Sequence, residues 1–581
     1  MSRARFAAAL TAVILLALLG AERARFSLWT TSDEPAHLAA AREWRWGPGM
    51  VSNFEHPVLM KVLAGLTLPR EKPAMEIDET RAGRAPMPFV FAGLVLVTGL
   101  FVRALAGDSA GLAAAALVAV EPTLRGHGAL VQSDVLVTAF LVAAALALEH
   151  AARSGSRKTL IVSGALYGLA MSAKYSAFPF LAGFAAIAVV RLGSGRFSSK
   201  VNGAGDARPT SHLLLRKSLS LPVFGSAAAL VAIALATLVL VQFLTFAGTS
   251  HAVFRAGIAH EFAGLPQERA AVALARNLPK SIAAYAAGLL FVQGVAGPGE
   301  RFNYFFGKVT GKGHVLYFPV ALGIKLTTAA VLLVVAALVA AGVLAARGAR
   351  FRVLLAARTC LPAALGGAYL LAACASNVNI GVRHALPVVP FAVAAAAGVL
   401  RTLLRRRRSL AVALAAVVIA GSVEAALRLG REISFGNLLC AGPAGVPAIL
   451  SDSNVDWGQE QGRLFERVRR GDLGRVGVVT LIVDESGARA AGILGQVTGP
   501  DASVDTAFIS RFLWDLANAI GNNSEPWPKF VWLRGWLPPL RRGLEARAVS
   551  IEPFGDTQLQ MRLRPAAPPT ASPSAPPAAT R

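Results

Sequence analysis

Cysteine is nearly absent from this chain of 581 residues, with three in all, which excludes a disulfide framework and gives no sign of a thiolate metal site. Cys360 and Cys374 share one apolar run and Cys440 lies beyond it. Charge is scarce too: Asp, Glu, Lys and Arg make up 16% of the chain, against roughly 25% in soluble domains. Acids are the rarer sign, 33 against 58 bases, which leaves a formal net charge of +25. No basic run is interleaved with aromatics, as single-strand binding requires, so the excess positive charge does not imply a nucleic acid partner. No convincing internal repeat is present, and the two-His spacing of common zinc sites is missing.

What the chain has is apolar residues, 55% of the total, with a mean hydropathy of +0.54. They cluster into runs near the ~20 residues that cross a bilayer as helix. Spans are expected at about 6 to 21, 86 to 106, 109 to 124, 128 to 149, 159 to 173, 176 to 193, 218 to 247, 314 to 346, 359 to 375, 384 to 400 and 409 to 427. The reading is a mainly α, polytopic membrane protein with about 11 transmembrane helices, its membrane module covering residues 1–428. Arg3 and Arg5 before the first run also fit a cleavable secretory signal. The stretch Ala17 to Ala21 offers no small-x-small cleavage triplet, which favours an uncleaved first span.

Short loops rich in Lys and Arg stay in the cytoplasm. Counted from a cytoplasmic N-terminus, alternate loops carry Arg103, then Arg153, Arg157 and Lys158, then Arg191 to Lys217, then Arg347 to Arg358, then Arg401 to Arg408. These inner loops beside anionic lipid headgroups account for much of the net charge. The opposite loops hold Asp33, Glu34, Glu55, His56, Glu121, His127, Asp134, Lys174 and the segment Asn377 to His384. The first outer loop runs from about 22 to 85, and a long one from about 248 to 313 carries seven Arg or Lys. After Arg428 the composition changes, and runs such as Val476 to Val483 look like strands. A small soluble α/β domain is expected over 429–564, on the outer side, with Asp456 a cap before a helix. Residues 565–581, rich in Pro and Ala, read as a disordered tail.

Four clusters carry chemistry. In Thr30 to His37, Pro35 suits a first helical position. Asp33 and Glu34 then either complement a helix dipole at the water interface or work on a nucleophile, one taking its proton while the other positions it. His37 shares the Asp33 face if the segment is helical. In Asn53 to Lys61, Glu55, His56 and Lys61 form either a phosphate or metal site or an ordinary polar loop, and Pro57 restricts His56 to extended geometry. Asp134 and Lys174, at the outer edges of spans, are either an ion pair or substrate ligands, because a charge at that depth requires a cavity or a partner. Arg383 and His384 offer donors suited to a phosphate, unless Arg383 snorkels to headgroups.

Taken together, these elements resemble a known family. They are Asp33-Glu34-Pro35-Ala36-His37, Glu55-His56-Pro57 with Lys61, Glu121-Pro122 through Asp134, Gly168-Leu169-Ala170 with Lys174, Tyr317-Phe318-Pro319 with Lys325, Gly381-Val382-Arg383-His384 with Leu386-Pro387, and Asp452 through Gln459. In that order they are similar to the bacterial membrane glycosyltransferases of the GT-C architecture, in the branch near protein O-mannosyltransferases and aminoarabinose transferases (glycosyltransferase family 39).

The resemblance implies a polyprenyl-phosphate sugar donor and transfer to a hydroxyl acceptor, with inversion, in a cavity facing the periplasm of a bacterial inner membrane. Asp33 would be the general base and Glu34 would help position the acceptor. Arg383 would steady the leaving phosphate with Lys174 and His384 as helpers, and His37, Glu55, His56, Lys61 and Asp134 would line the substrate site. No cofactor is required, although a divalent metal at Glu55-His56 with Asp33 or His37 is open. The chain departs from the family pattern where Pro57 is followed by Val58 rather than a second proline, and it lacks a repeated soluble domain. The acceptor is therefore left open among protein, lipid and glycan. The rival readings are a transporter or flippase of a lipid-linked phosphate, and an assembly protein anchored by its spans.

Overall fold

The computed structural model describes residues 1–201, 221–297, 301, 303–404, 407–480, 483–499, 503–521 and 531–565. Among the described residues, six helices are long and apolar enough to cross a membrane: Arg3–Ser27, Glu76–Ala106, Ser133–Ser154, Leu221–Phe246, Thr328–Ala346 and Arg408–Ala426. Shorter apolar helices lie at Asp108–Val120, Ala177–Gly193, Lys280–Val295, Thr359–Cys374 and Val388–Leu403. One continuous apolar core joins the bundle, from Phe6 and Leu10 through Phe91, Leu136, Tyr167 and Phe184 to Phe391. The outward faces expose Leu15, Leu16, Leu19, Leu240, Phe243, Leu338 and Val339. An apolar belt of this extent suits lipid rather than water.

Two expectations about the bundle are corrected. The expected run 314–346 is two helices, Tyr317–Lys325 and Thr328–Ala346. The break has an electrostatic cause: Glu121 accepts from the backbone and hydroxyl of Thr327, and Glu424 does the same for Thr328. Two carboxylates thus sit on the N-terminus of the second helix, where its free N–H groups and dipole favour them. The region read as a long outer loop, about 248 to 313, is largely helical: His251–Glu261, Glu268–Asn277 and the apolar Lys280–Val295, followed by a two-stranded hairpin of Asn303–Phe305 and Lys308–Thr310.

Beyond the last long helix, a four-stranded sheet is ordered Val476–Val479, Thr506–Ser510, Gln558–Leu563, Ala548–Phe554. The first pair is parallel and the others antiparallel. Both the Val476–Val479 and Thr506–Ser510 strands are buried along their whole length. Helices Gln461–Arg469 and Arg511–Gly521 are strongly amphipathic, and they bury Leu464 and Phe465 in one cluster and Phe512, Leu513 and Leu516 in another. Asp456 does not cap the first of these helices; its carboxylate accepts from Gly458 N at 3.0 Å and Glu460 occupies the cap position. The expected tail beyond Arg564 lies almost wholly outside the described residues, as do part of the basic stretch 191–217 and Arg405–Arg406.

The segment from Ser451 to Gln461 stitches this sheet region to the bundle. Trp29 N donates to Gln459 O and Ser32 N to Trp457 O, at 2.9 and 3.0 Å. Asn454 accepts from Val382 N and donates to Tyr317 OH, while Ser453 donates to Ile380 O. Lys325 donates its buried ammonium to Ile433 O and Asn454 O. At Gly458, φ +93° places the backbone where a side chain is strained. A Cβ on Gly381 would approach Ser453 Oγ to 2.2 Å, so the two loops meet only because glycine stands there.

Candidate functional site

Asp33 occupies the cap position of the helix Glu34–Trp46, with Pro35 in its first turn and no capping hydrogen bond from the Asp33 carboxylate. That carboxylate is free to point elsewhere, and Oδ2 accepts from Arg383 Nη1 at 2.7 Å. The Asp33 side chain keeps 29% of its surface open, while that of Arg383 keeps 7%. Burial works against ionisation of Asp33, yet the Arg383 guanidinium, helped by His37 and His56, holds its carboxyl well below the usual carboxylate range. Arg383 also reaches Gln132 Oε1 at 3.5 Å and lies 4.2 Å from the Trp457 ring centroid. It does not snorkel to headgroups: the guanidinium is held from one side by a carboxylate and from below by an indole face.

A second ion pair lies beside the first. Lys174 donates to Asp134, which is buried in the first turn of Ser133–Ser154, and Lys174 Nζ is 3.5 Å from His384 Nδ1. Around these charges several buried polar atoms have no protein partner: Arg383 Nε, His384 Nε2, Gln132 Nε2, Ser133 Oγ and His37 Nε2. Unpaired buried polar atoms are rare in folded chains. Such a group around one arginine and one lysine is suited to an anion with hydroxyls nearby. Burial depresses the His37, His56 and His384 imidazoles, so they enter this group neutral.

Glu34 takes no part in the opening. Its carboxylate accepts five hydrogen bonds, two from Arg84, two from Thr31 and one from Val131 N. Both Glu34 and Arg84 are fully buried, so the geometry corrects the expectation that Glu34 faces an acceptor: it braces the loop that carries Asp33. Lys61 likewise turns inward and donates to Asn53 O and His56 O at 2.7 and 2.9 Å. Burial pulls its ammonium down to about 7. It closes the 53–61 loop and does not face the opening as an anion ligand.

Within that loop, His37 Nδ1 lies 3.2 Å from Asn53 Oδ1, and the rings of His37 and His56 meet edge to face at 4.6 Å. Glu55 pairs with Arg301 at 3.1 Å. The metal site left open at Glu55 and His56 with Asp33 or His37 is not assembled as a ligand group. Among the described residues no group of three or more His, Cys, Asp or Glu is arranged to hold a metal.

Gln132, Trp457, Arg301 and Asp452 enter the site region without having been singled out from sequence as ligands. Asp452 stands in left-handed backbone, φ +60°, within electrostatic reach of Arg383, Asp33 and Arg301. Burial, opposed by Arg383, pushes its carboxyl up to about 6. The motif Asp452 through Gln459 was the available signal, but nothing in its spacing indicates that it folds back onto Arg383. A cavity of about 1040 Å³ opens elsewhere, along the face of Glu34–Trp46 that carries Leu38 and Trp46, with Met75 and Arg489 opposite.

Residues 78–202 match the family model described as dolichyl-phosphate-mannose-protein mannosyltransferase. That is the class of family the sequence motifs resemble. No curated protein matches the chain. Among solved structures, the Saccharomyces cerevisiae protein O-mannosyltransferase Pmt1-Pmt2 complex bound to the sugar donor is 16% identical, with a TM-score of 0.35 over 43% of this chain and 35% of that one. This chain thus spans about a third of the yeast chain's length. ArnT from Cupriavidus metallidurans bound to undecaprenyl phosphate is 12% identical, with a TM-score of 0.44 over 97% of this chain and 98% of that one. The archaeal oligosaccharyltransferase AglB from Archaeoglobus fulgidus, in complex with an inhibitory peptide and a dolichol-phosphate, is 12% identical, with a TM-score of 0.44 over 96% and 74%.

Proposed function

We propose that this chain is a membrane glycosyltransferase that moves a monosaccharide from a polyprenyl-phosphate donor to a hydroxyl acceptor, on the periplasmic face of a bacterial inner membrane. The observation that carries the reading is the Asp33–Arg383 pair, in which a base and an anion-binding cation share one opening. The family match over residues 78–202 supports it.

In the reaction, the acceptor hydroxyl forms its bond to the anomeric carbon as the bond from that carbon to the phosphate oxygen breaks. The proton passes to Asp33, and the electron pair leaves on the polyprenyl phosphate. Attack opposite the phosphate inverts the anomeric centre. Arg383, with Lys174 and His384, stabilises the charge that grows on the phosphate. Without donor, Arg383 keeps Asp33 a weak base. A phosphate that draws the guanidinium into a charge-assisted contact of its own removes that restraint, and Asp33 becomes basic once the donor is in place. Asp134 keeps Lys174 oriented, and Glu34 keeps the Asp33 loop in position.

The test is transfer by the purified chain from a panel of radiolabelled polyprenyl phosphate sugars to membrane extract. Radiolabel moving to protein, lipid or glycan from one of the donors is the expected result, and it identifies sugar and acceptor together. Binding of the lipids with no transfer from any of them would point to a transporter or flippase.

A further inference from the structure

Resting on that transferase reading, we propose that Asp452, delivered from outside the helical bundle, is the ligand for the hydroxyls of the donor's sugar. In an inverting transfer the acceptor oxygen, the anomeric carbon and the departing phosphate oxygen lie in line. Asp33 marks the acceptor end of that line and Arg383 the phosphate end. Because the two side chains touch at 2.7 Å, the sugar of a donor whose phosphate Arg383 holds must lie beside the pair. Two carboxylates lie within electrostatic reach of both Asp33 and Arg383 and are hydrogen-bonded to neither, Asp452 and Glu55. Glu55 is engaged by Arg301 at 3.1 Å, and Asp452 is the one tied through its neighbours to the Arg383 loop.

Its own contacts leave it free for this work. Oδ1 accepts from Ser453 N at 2.6 Å, and among the described residues no cation lies within ion-pairing distance of its carboxylate. The side chain is half-buried, open enough for a ligand and dry enough for its hydrogen bonds to count. The two residues that follow fix its position: Ser453 donates to Ile380 O, and Asn454 accepts from Val382 N. Asp452 is therefore tied to the same loop that carries Arg383, so a phosphate held by one places its sugar beside the other. An ionised carboxylate accepts from two neighbouring hydroxyls, a geometry that discriminates among sugars by the orientation of those groups.

The experiment compares binding of polyprenyl phosphate with binding of its glycosylated forms, using the full-length chain in nanodiscs, for wild type, Asp452→Asn and Asp452→Gly. Asn and Gly both tolerate left-handed backbone, so each removes the carboxylate without straining the turn. Polyprenyl phosphate itself should bind the two variants no more weakly than wild type, since each loses a negative charge near Arg383. The preference of wild type for the sugar-bearing lipid should fall about tenfold or more in both variants, as loss of a hydrogen bond to a charged group implies. A retained preference overturns the assignment. Equal weakening of both lipids also overturns it, because Asp452 would then act through the Arg383 loop. A wild type that binds neither lipid overturns the transferase reading itself.

Discussion

Glu34 and Asp33 are adjacent in the chain and do different work in the structure. Glu34→Gln leaves the Arg84 charge buried without its counter-ion, and breaking such a pair costs about 3–5 kcal/mol. The expected outcome is a large drop in melting temperature by scanning fluorimetry. Asp33→Asn should shift it far less, because Arg383 still lies on Trp457 and near Asp134 and Asp452. A melting temperature equally low in both variants would contradict this division.

The pH profile also belongs to the residue scale. In the free enzyme Asp33 stays ionised throughout the accessible range, and His37, His56 and His384 stay neutral above their depressed values. Asp452, raised to about 6 by burial against the pull of Arg383, must be ionised to accept from two hydroxyls with both oxygens. The value of kcat/KM, which reports the free enzyme, should therefore fall as pH drops through about 6, and the limb should disappear in Asp452→Asn. A limb unchanged in that variant assigns it to another group, such as Glu55, whose carboxyl burial also raises.

At the scale of the element, the Ser451–Gln461 segment is the piece on which the account depends. It bonds to the loop that carries Asp33, to the loop of Arg383 and to the Tyr317–Lys325 helix. Asn454→Ala leaves Val382 N without its buried acceptor and Tyr317 OH without its buried donor, each worth about 1–3 kcal/mol. Because the freed loop carries Arg383, the donor KM should rise more than kcat falls. Gly381→Ala should act alike, since its new Cβ meets Ser453. Steady-state kinetics with varied donor checks both, and an unchanged KM in the two variants would show that the segment does not position Arg383.

The whole molecule shows what was legible beforehand. Apolar runs of spanning length gave away the bundle, because each records a requirement of the bilayer. The approximate places of Ser133–Ser154, Leu221–Phe246 and Arg408–Ala426 could be read from composition alone. Hidden were features set by partners distant in sequence. Glu121 and Glu424 split the 314–346 run, and Arg84, about 50 residues on, diverts Glu34. Likewise Asp452 and Trp457 reach Arg383 through a return of the chain that no local pattern records. The helices within 248–313 were hidden because that stretch mixes charges with short apolar runs.

Topology is a whole-molecule prediction as well. In a Cys360→Ser background, Arg470→Cys should react with a membrane-impermeant maleimide in spheroplasts, and Ser154→Cys should react only after lysis. The reverse pattern would invert the proposed orientation.

The most direct test of the central claim is single-turnover transfer by wild type and Asp33→Asn, with bound polyprenyl phosphate sugar measured in the same samples. The account predicts that the variant binds the donor but does not pass on its sugar. Transfer by Asp33→Asn at the wild-type rate would contradict it, because the Asp33–Arg383 pair would then not be the place where the proton moves.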